Sequence, residues 1–157
     1  MNSPTPQATW CTFTLDGELF GVDVTCVQEV LRQVEMTPVP LAPAEVAGLI
    51  NLRGQIVTVL ELRRRLGMAD RPTHTVPMNV VVRHPHGVVS LLVDDIGDVV
   101  EVDGTLWEPA PTTLPAAWRD LIDGVFKLPG GLLLQLNTNK AIAAEPAAVT
   151  AKEDNHG

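Results

Sequence analysis

Apolar residues occur along most of the chain in short runs that Gly, Pro, Asp or Asn interrupt, and this spacing predicts β-strands more than long helices. Residues 11–15 alternate apolar side chains with threonines, which is the period of a strand with one buried face. Asp16-Gly17 follows directly, and because both residues tolerate positive φ the pair predicts a tight turn into a return strand over 19–24. Most of the body of the chain is therefore expected to be β-structure.

The same pattern predicts three more strand pairs and one further strand. Each pair is joined by a turn, at Gly54, at His84–Gly87 or at Pro129–Gly131. Two proline-rich segments, Pro38–Pro43 and Pro109–Pro115, exclude regular elements and predict loops that cross between sets of strands. The predicted strands are 48–53 with 55–60, 78–83 with 88–93, 122–128 with 132–136, and 96–102.

Short helices are predicted where capping residues precede an apolar stretch. The sequence Thr-Cys-Val-Gln at 25–28 fits a capping box, so a helix is expected from Thr25 to about Leu31. A second helix is predicted over 61–66, with Gly67 at its C-terminal end, and a third over 139–144.

The two halves of the chain echo each other. Gly48–Gly54 matches Gly124–Gly130 in spacing, and each segment runs into an apolar strand and then a helix. The sequence Val-Gln-Glu-Val at 27–30 is likewise echoed by Ile-Gly-Asp-Val at 96–99. Because halves of about 60 residues are marginal alone, we expect two similar β-subdomains that share a hydrophobic seam and fold as one unit. Small closed barrels are favoured over an open sheet, since closure removes exposed edges.

The charge balance restricts the class of partner. With a net charge of −8 and a pI of about 4.8, the chain lacks the clustered cations that bind nucleic acid or an anionic membrane. The one basic cluster, Arg63–Arg65, is interpreted as a solvated helix surface. No run approaches the roughly 20 apolar residues of a membrane span, and Met1–Gln7 lacks the pattern of a secretory signal. We therefore expect a cytoplasmic protein in which Cys11 and Cys26 are free buried thiols.

The sequence predicts no catalytic residue. Gly-x-Ser-x-Gly, Walker, GxGxxG and HExxH motifs are all missing. The two serines are poor nucleophile candidates, because Ser3 lies in a predicted tail and Ser90 in the middle of a strand. Cys11 and Cys26 have apolar neighbours, which raise the pKa of a thiol and make it unreactive.

No metal site or cofactor is predicted either. His84 and His86 flank a proline in a turn and lack a third ligand, whereas zinc sites need three or four ligands. Asp94, Asp95 and Asp98 lack the spacing and the glycine of a calcium loop, so a solvated bulge is the preferred interpretation.

Several separated motifs resemble one family. The sequence Val-Gln-Glu-Val at 27–30 is followed, after the first proline-rich segment, by Gly-Leu-Ile-Asn-Leu-Arg-Gly-Gln-Ile-Val at 48–57. Further matching segments lie at 59–67, 92–99 and 124–136. Together these segments resemble the CheW family of chemotaxis coupling proteins from about Thr9 to Ala144, and Asn51–Gly54 is the most specific part.

The resemblance implies a mostly β fold, with two SH3-like five-stranded β-barrel subdomains that share a hydrophobic core and carry short helices. A single CheW-like domain is expected over 9–144, with the second barrel at roughly 77–136 and flexible tails at 1–8 and 145–157.

By the same resemblance, the chain is expected to be a non-enzymatic cytoplasmic adaptor. It would link the cytoplasmic tip of methyl-accepting chemoreceptors to the regulatory domain of the histidine kinase CheA, with no cofactor, no nucleic acid and no direct membrane insertion. Thr58, Glu61 and Ser90 depart from the proline, aspartate and glycine that the family often carries, which leaves the choice of partner open. An adaptor of a non-flagellar array that controls pili or a second messenger is the alternative. A ligand-binding barrel and an enzyme are disfavoured, because small aliphatic residues should fill the barrels and no catalytic constellation is present.

The resemblance also implies site residues. Val27, Ile96 and Val99 match positions that line a receptor-facing groove between the subdomains. Glu29 and Arg53 match characteristic polar positions, and we predict an ion pair between them that braces the predicted helix at 25–31 against the hairpin turn.

Three further positions complete the predicted sites. Gly48 is assigned to the receptor-binding set together with Glu29 and Arg53, and a glycine there permits a close approach of the backbone. The kinase-facing surface is expected on the first subdomain, with Val30 and Leu52 as its predicted contacts.

Overall fold

The computed structural model describes residues 7–32 and 34–143, and these residues form two β-sheets with a few short helices. The α-helices are α1 (Leu62–Arg65), α2 (Ala116–Arg119) and α3 (Thr138–Ile142). The strands are β1 (Gln7–Leu15), β2 (Glu18–Asp23), β3 (Val27–Leu31), β4 (Val46–Leu52), β5 (Gln55–Glu61), β6 (Met78–His84), β7 (Gly87–Val93), β8 (Asp95–Asp103), β9 (Trp107–Pro109), β10 (Ile122–Leu128) and β11 (Gly131–Leu136).

The strands are shared between the sheets in an order that does not follow the sequence. One sheet has the order β8-β1-β2-β11-β10-β9 and the other the order β3-β6-β7-β5-β4. The predicted second barrel at roughly 77–136 is therefore wrong as a boundary, because β6 and β7 join the first barrel and β1 and β2 join the second. The parallel pairs β5 with β7 and β2 with β11 produce this exchange. One sheet also has six strands where five were expected, because the 3-10 helix Gly104–Leu106 separates β9 from β8.

Both faces of most strands are buried, since a shared core lies between the sheets and each sheet also encloses a cluster of its own. Strand β6 shows the division: Val80 and Val82 belong to the shared core, whereas Val81 belongs to the cluster of the five-stranded sheet. Burial on two faces explains why such strands read as continuous apolar runs. The shared core includes Phe13, Phe20, Leu60, Leu91 and Val125, and the cluster of the six-stranded sheet includes Trp10, Phe126 and Leu133.

The predicted echo between Gly48 and Gly124 has a structural cause. A Cβ atom on Gly48 would lie 2.6 Å from the carbonyl oxygen of Thr37, which pairs with β4 at Leu49. A Cβ atom on Gly124 would overlap Trp107 and lie 2.6 Å from the carbonyl oxygen of Glu108. In both sheets a glycine therefore lets the segment after the edge strand cross directly over the next hairpin.

The predicted helix at 25–31 is wrong, because the structure has a 3-10 helix at Val24–Cys26 and then strand β3. The cap is Asp23, whose carboxylate accepts a hydrogen bond from the backbone N–H of Thr25 at 2.9 Å. Two β-branched residues in the following segment favour the extended chain, and β6 supplies its hydrogen-bonding partner. The helices predicted at 61–66 and 139–144 are confirmed, although residue 144 lies outside the described part of the chain.

The predicted tails are only partly covered by the structure. Strand β1 begins at Gln7, so the last two residues of the predicted N-terminal tail belong to a sheet. Residues 1–6 and the predicted tail at 145–157 lie outside the described residues.

Candidate partner-binding surface

Two edge strands, β3 and β8, carry apolar residues that continue the shared core to the surface. On β3, Val27 pairs with Val82, a member of the shared core, and on β8, Ile96 pairs with Phe13 of the same core. Directly paired residues face the same side of a sheet, and both Val27 and Ile96 pack against this core. The structure thus brings together two predicted site residues that are far apart in the sequence.

Two neighbouring residues on the same faces are left largely uncovered. Val30 pairs with Val80 and is 38% exposed, and Val99 pairs with Cys11 and is 59% exposed. Exposed β-branched residues beside a buried core offer apolar area to a partner protein. We call Val27, Val30, Ile96 and Val99 the edge-strand surface. Val30 was assigned to the kinase side, but its face groups it with the predicted receptor-facing residues.

The predicted ion pair between Glu29 and Arg53 is present. Arg53 Nη1 donates to Glu29 Oε1 at 3.2 Å, and a second bond joins Nη2 to Oε2. The hydrogen bond from Arg53 lowers the pKa of Glu29 below its ordinary value. The pair links β3 to the turn after β4, which are the opposite edges of the five-stranded sheet. It therefore closes one end of this barrel and does not brace a helix.

The turn that carries Arg53 is specified by its neighbours. Arg53 has φ 52° and Gly54 has φ 87°, so both central residues of the β4–β5 turn are left-handed. Such a turn matches the twist of a hairpin, although arginine is an unusual residue there. The side chain of Asn51 stabilises the turn by accepting a hydrogen bond from the backbone N–H of Gly54 at 2.8 Å.

Two predicted contact residues are not at the surface. Leu52 is 8% exposed and belongs to the cluster inside the five-stranded sheet, so its assignment as a kinase contact is corrected. Gly48 was predicted to contact the receptor, but it is buried beneath Met36 and Thr37. Its role in the structure is to let these residues pack closely against β4. The alternation along β4 explains both errors, because residues 48, 50 and 52 point inward together.

A network of buried charges was not predicted from the sequence. Arg63, interpreted above as part of a solvated helix surface, has a side chain that is only 6% exposed. Its guanidinium donates to Asp94 through Nε at 2.8 Å and Nη2 at 2.6 Å. Arg71 donates to the same carboxylate at 3.1 Å and to Glu61 at 2.6 and 3.0 Å.

This network ties the two sheets together. Asp94 lies between β7 of one sheet and β8 of the other, and its carboxylate also accepts from the backbone N–H of Asp16 in the β1–β2 turn at 2.8 Å. The role of Arg63 could not be distinguished in a run of three arginines, of which only Arg64 and Arg65 remain at the helix surface. A charged residue directly after the apolar strand β7 was the one available indication, and it does not identify its partner.

The network makes stability depend on acid pH. Burial alone would raise the pKa of Asp94, but hydrogen bonds from the Arg63 guanidinium and the Asp16 N–H outweigh it and lower the pKa. A lowered folded-state pKa gives stability that is present above the unfolded-state pKa of about 4 and is lost as the pH falls through the folded-state pKa. We expect urea unfolding to show that the stability advantage of the native chain over Asp94→Asn shrinks between about pH 5 and about pH 3. Parallel pH profiles would contradict this role of Asp94.

The remaining candidate groups form no site. Cys11 and Cys26 are free cysteines, and burial raises the pKa of both thiols. Ser90 is buried and donates to Asn79 Oδ1 at 2.7 Å. Within residues 7–32 and 34–143, no three His, Cys, Asp or Glu side chains are grouped so that they could hold a metal ion.

None of the helices among the described residues is both long enough and apolar enough to span a membrane.

Comparison with known proteins agrees with this architecture. The family described as "CheW-like domain" matches residues 9–145. "Chemotaxis protein CheW" of Rhizobium meliloti (strain 1021) is 31% identical over 85% of this chain and 86% of that protein. "Protein PilI" of Pseudomonas aeruginosa is 27% identical over 73% of this chain and 64% of that protein.

A solved structure gives the same result at the level of the fold. The crystal structure of "scaffolding protein TtCheW" from Thermoanaerobacter tengcongensis superposes with a TM-score of 0.74 and 29% sequence identity. The superposition covers 83% of this chain and 88% of that one. With a family match across nearly all the described residues and the same two-sheet fold, this chain belongs to the CheW-like domain family.

Proposed function

We propose that this chain is a non-enzymatic adaptor that couples methyl-accepting chemoreceptors to a CheA-type histidine kinase in the cytoplasm. The observation that carries the proposal is the edge-strand surface, where four apolar residues extend the shared core outward beside the Glu29–Arg53 pair. Removing such area from water drives protein association. Membership of the CheW-like family supports the choice of partners.

The receptor tip is assigned to the edge-strand surface and the regulatory domain of the kinase to a separate part of the chain. Arg53 is exposed, and its partner Glu29 lies on the face of β3 opposite to Val27 and Val30. The pair therefore fixes the position of β3 and offers a charged group to a partner. The adaptor would reach the membrane only through the receptors that it binds.

A pull-down with purified proteins tests the proposal. The native chain is expected to retain both the receptor tip fragment and the regulatory domain of the kinase from its own organism. Arg53→Glu places two like charges side by side and removes the ion pair that positions β3, so we expect receptor binding to fall by about tenfold. Arg119→Glu is the matched control, because Arg119 is exposed on α2, a helix that contacts β10 and is not part of the edge-strand surface.

A charge-reversed double variant separates pairing from a direct contact. Glu29→Arg combined with Arg53→Glu restores opposite charges, and partial recovery of binding would support the closing pair. Additive losses would show that the two residues act independently. No binding of the native chain to either partner would refute the adaptor function.

A second candidate is an adaptor of an array that controls pili, which the similarity to protein PilI favours. Deleting the gene in its own organism distinguishes the outputs. Loss of swimming toward attractants would support the chemotaxis assignment, and loss of surface motility with normal swimming would support the pilus assignment.

A further inference from the structure

We infer that the edge-strand surface continues into a cavity whose Arg32 and Asp95 recognise an oppositely charged pair of side chains on the receptor tip. This inference rests on the proposed adaptor function and names the chemistry of one partner segment. Arg32 directly follows β3, and Asp95 is the first residue of β8. The cavity therefore lies where β3 ends and β8 begins, at one end of the edge-strand surface.

The cavity is large enough to accept side chains from another protein. Its volume is about 560 Å³, and it is open to solvent. Met78 is a buried member of the shared core, whereas Val76 at the rim is 55% exposed. Its lining residues are Arg32, Thr75, Val76, Met78, Asp94 and Asp95.

The three charged residues of the cavity differ in how far their charges are already paired. Asp94 accepts hydrogen bonds from Arg63 and Arg71, so its charge is compensated inside the protein. The carboxylate of Asp95 accepts only the backbone N–H of Ile96 among the described residues, at 2.9 Å. Arg32 is exposed and makes no ion pair with another described side chain. One cation and one anion that line the cavity are thus available to a partner, together with the apolar side chains of Val76 and Met78.

This arrangement fits a segment with an apolar side chain between an acidic and a basic residue. The apolar side chain would contact Met78 and Val76, the acidic residue would pair with Arg32, and the basic residue with Asp95. Opposite charges at two ends of a contact fix the direction in which a segment lies, because the reverse orientation places like charges together. The receptor is the chosen occupant because two lining residues, Arg32 and Asp95, lie at the ends of the same strands, β3 and β8, that carry the edge-strand surface.

Neutralising variants test this assignment without introducing new repulsion. Asp95→Asn keeps the size of the side chain and an oxygen for the N–H of Ile96, and Arg32→Gln removes the charge but keeps an unbranched polar side chain. Each variant is expected to weaken binding of a purified receptor tip fragment about three- to tenfold at low salt, with a smaller loss at high salt. Binding of the kinase regulatory domain should stay unchanged in both variants. Arg119→Gln is the control for loss of a surface charge.

Measuring receptor binding and kinase binding side by side distinguishes failure of this inference from failure of the proposed function. If the native chain binds the receptor and both variants bind it equally well, the charge-recognition role is wrong although the adaptor function stands. Equal weakening of receptor and kinase binding would also overturn it, because the cavity would then not be specific to the receptor. If the native chain binds neither partner, the proposed function itself fails.

Discussion

Replacing Asp94 with alanine is expected to lower the free energy of unfolding by about 3–5 kcal/mol, the cost of removing one partner from a buried ion pair. Arg63, with a side chain 6% exposed, would keep its charge and lose the carboxylate that compensates it. Arg71 would lose one of its two acidic partners, and the backbone N–H of Asp16 would lose its hydrogen-bond acceptor. Urea unfolding at neutral pH, followed by tryptophan fluorescence, measures the change.

The matched control is Asp70→Ala. Asp70 pairs with Arg64, the neighbour of Arg63, and both side chains are exposed to solvent. Exposed pairs contribute little because water screens them, so this variant should unfold close to the native midpoint. Similar losses from Asp94→Ala and Asp70→Ala would contradict the assignment of a buried network between the sheets.

Alanine at Gly124 is expected to destabilise the fold by about 2–3 kcal/mol, as in other overpacked sites. The added methyl group would overlap Trp107 and approach the Glu108 carbonyl oxygen to 2.6 Å. Trp107 cannot move freely, because its Nε1 donates to Gln135 Oε1 at 2.6 Å. The contact between β9 and β10 must therefore open. Urea unfolding and the near-UV circular dichroism of the tryptophans report the change.

Gly130 in the same hairpin provides the control. A Cβ atom there has no neighbour within 4 Å, and the residue does not need positive φ. Gly130→Ala should be neutral or slightly stabilising, because alanine restricts the unfolded chain more than glycine. A loss in Gly130→Ala as large as in Gly124→Ala would mean that turn flexibility, and not strand crossing, accounts for the effect.

Local features of the fold could be predicted because neighbouring residues determine them. Asp16-Gly17 and Arg53-Gly54 both form turns with positive φ, as their glycines indicated. The repeated spacing of Gly48 and Gly124 correctly indicated two related barrels. The helix predicted at 25–31 failed because a capping residue can begin a 3-10 helix as readily as an α-helix, and the later pairing with β6 decides between them.

Features that depend on distant pairing could not be predicted from the chain alone. The exchange of β1 and β2 into the barrel of β8–β11 requires the parallel contact of β2 with β11, which leaves no local pattern. Likewise, nothing near Arg63 identifies Asp94 as its partner. The Glu29–Arg53 pair was predicted because a family resemblance marked both positions, whereas Leu52 was misplaced because its direction depends on the register of β4.

The central claim is that one chain holds a receptor and a kinase at the same time. The most direct measurement is size-exclusion chromatography with light scattering on the native chain mixed with the receptor tip fragment and the kinase regulatory domain. If the two surfaces are separate, a single species is expected whose mass equals the sum of the masses of all three proteins. Displacement of one partner by the other, with only binary complexes at saturation, would contradict the claim.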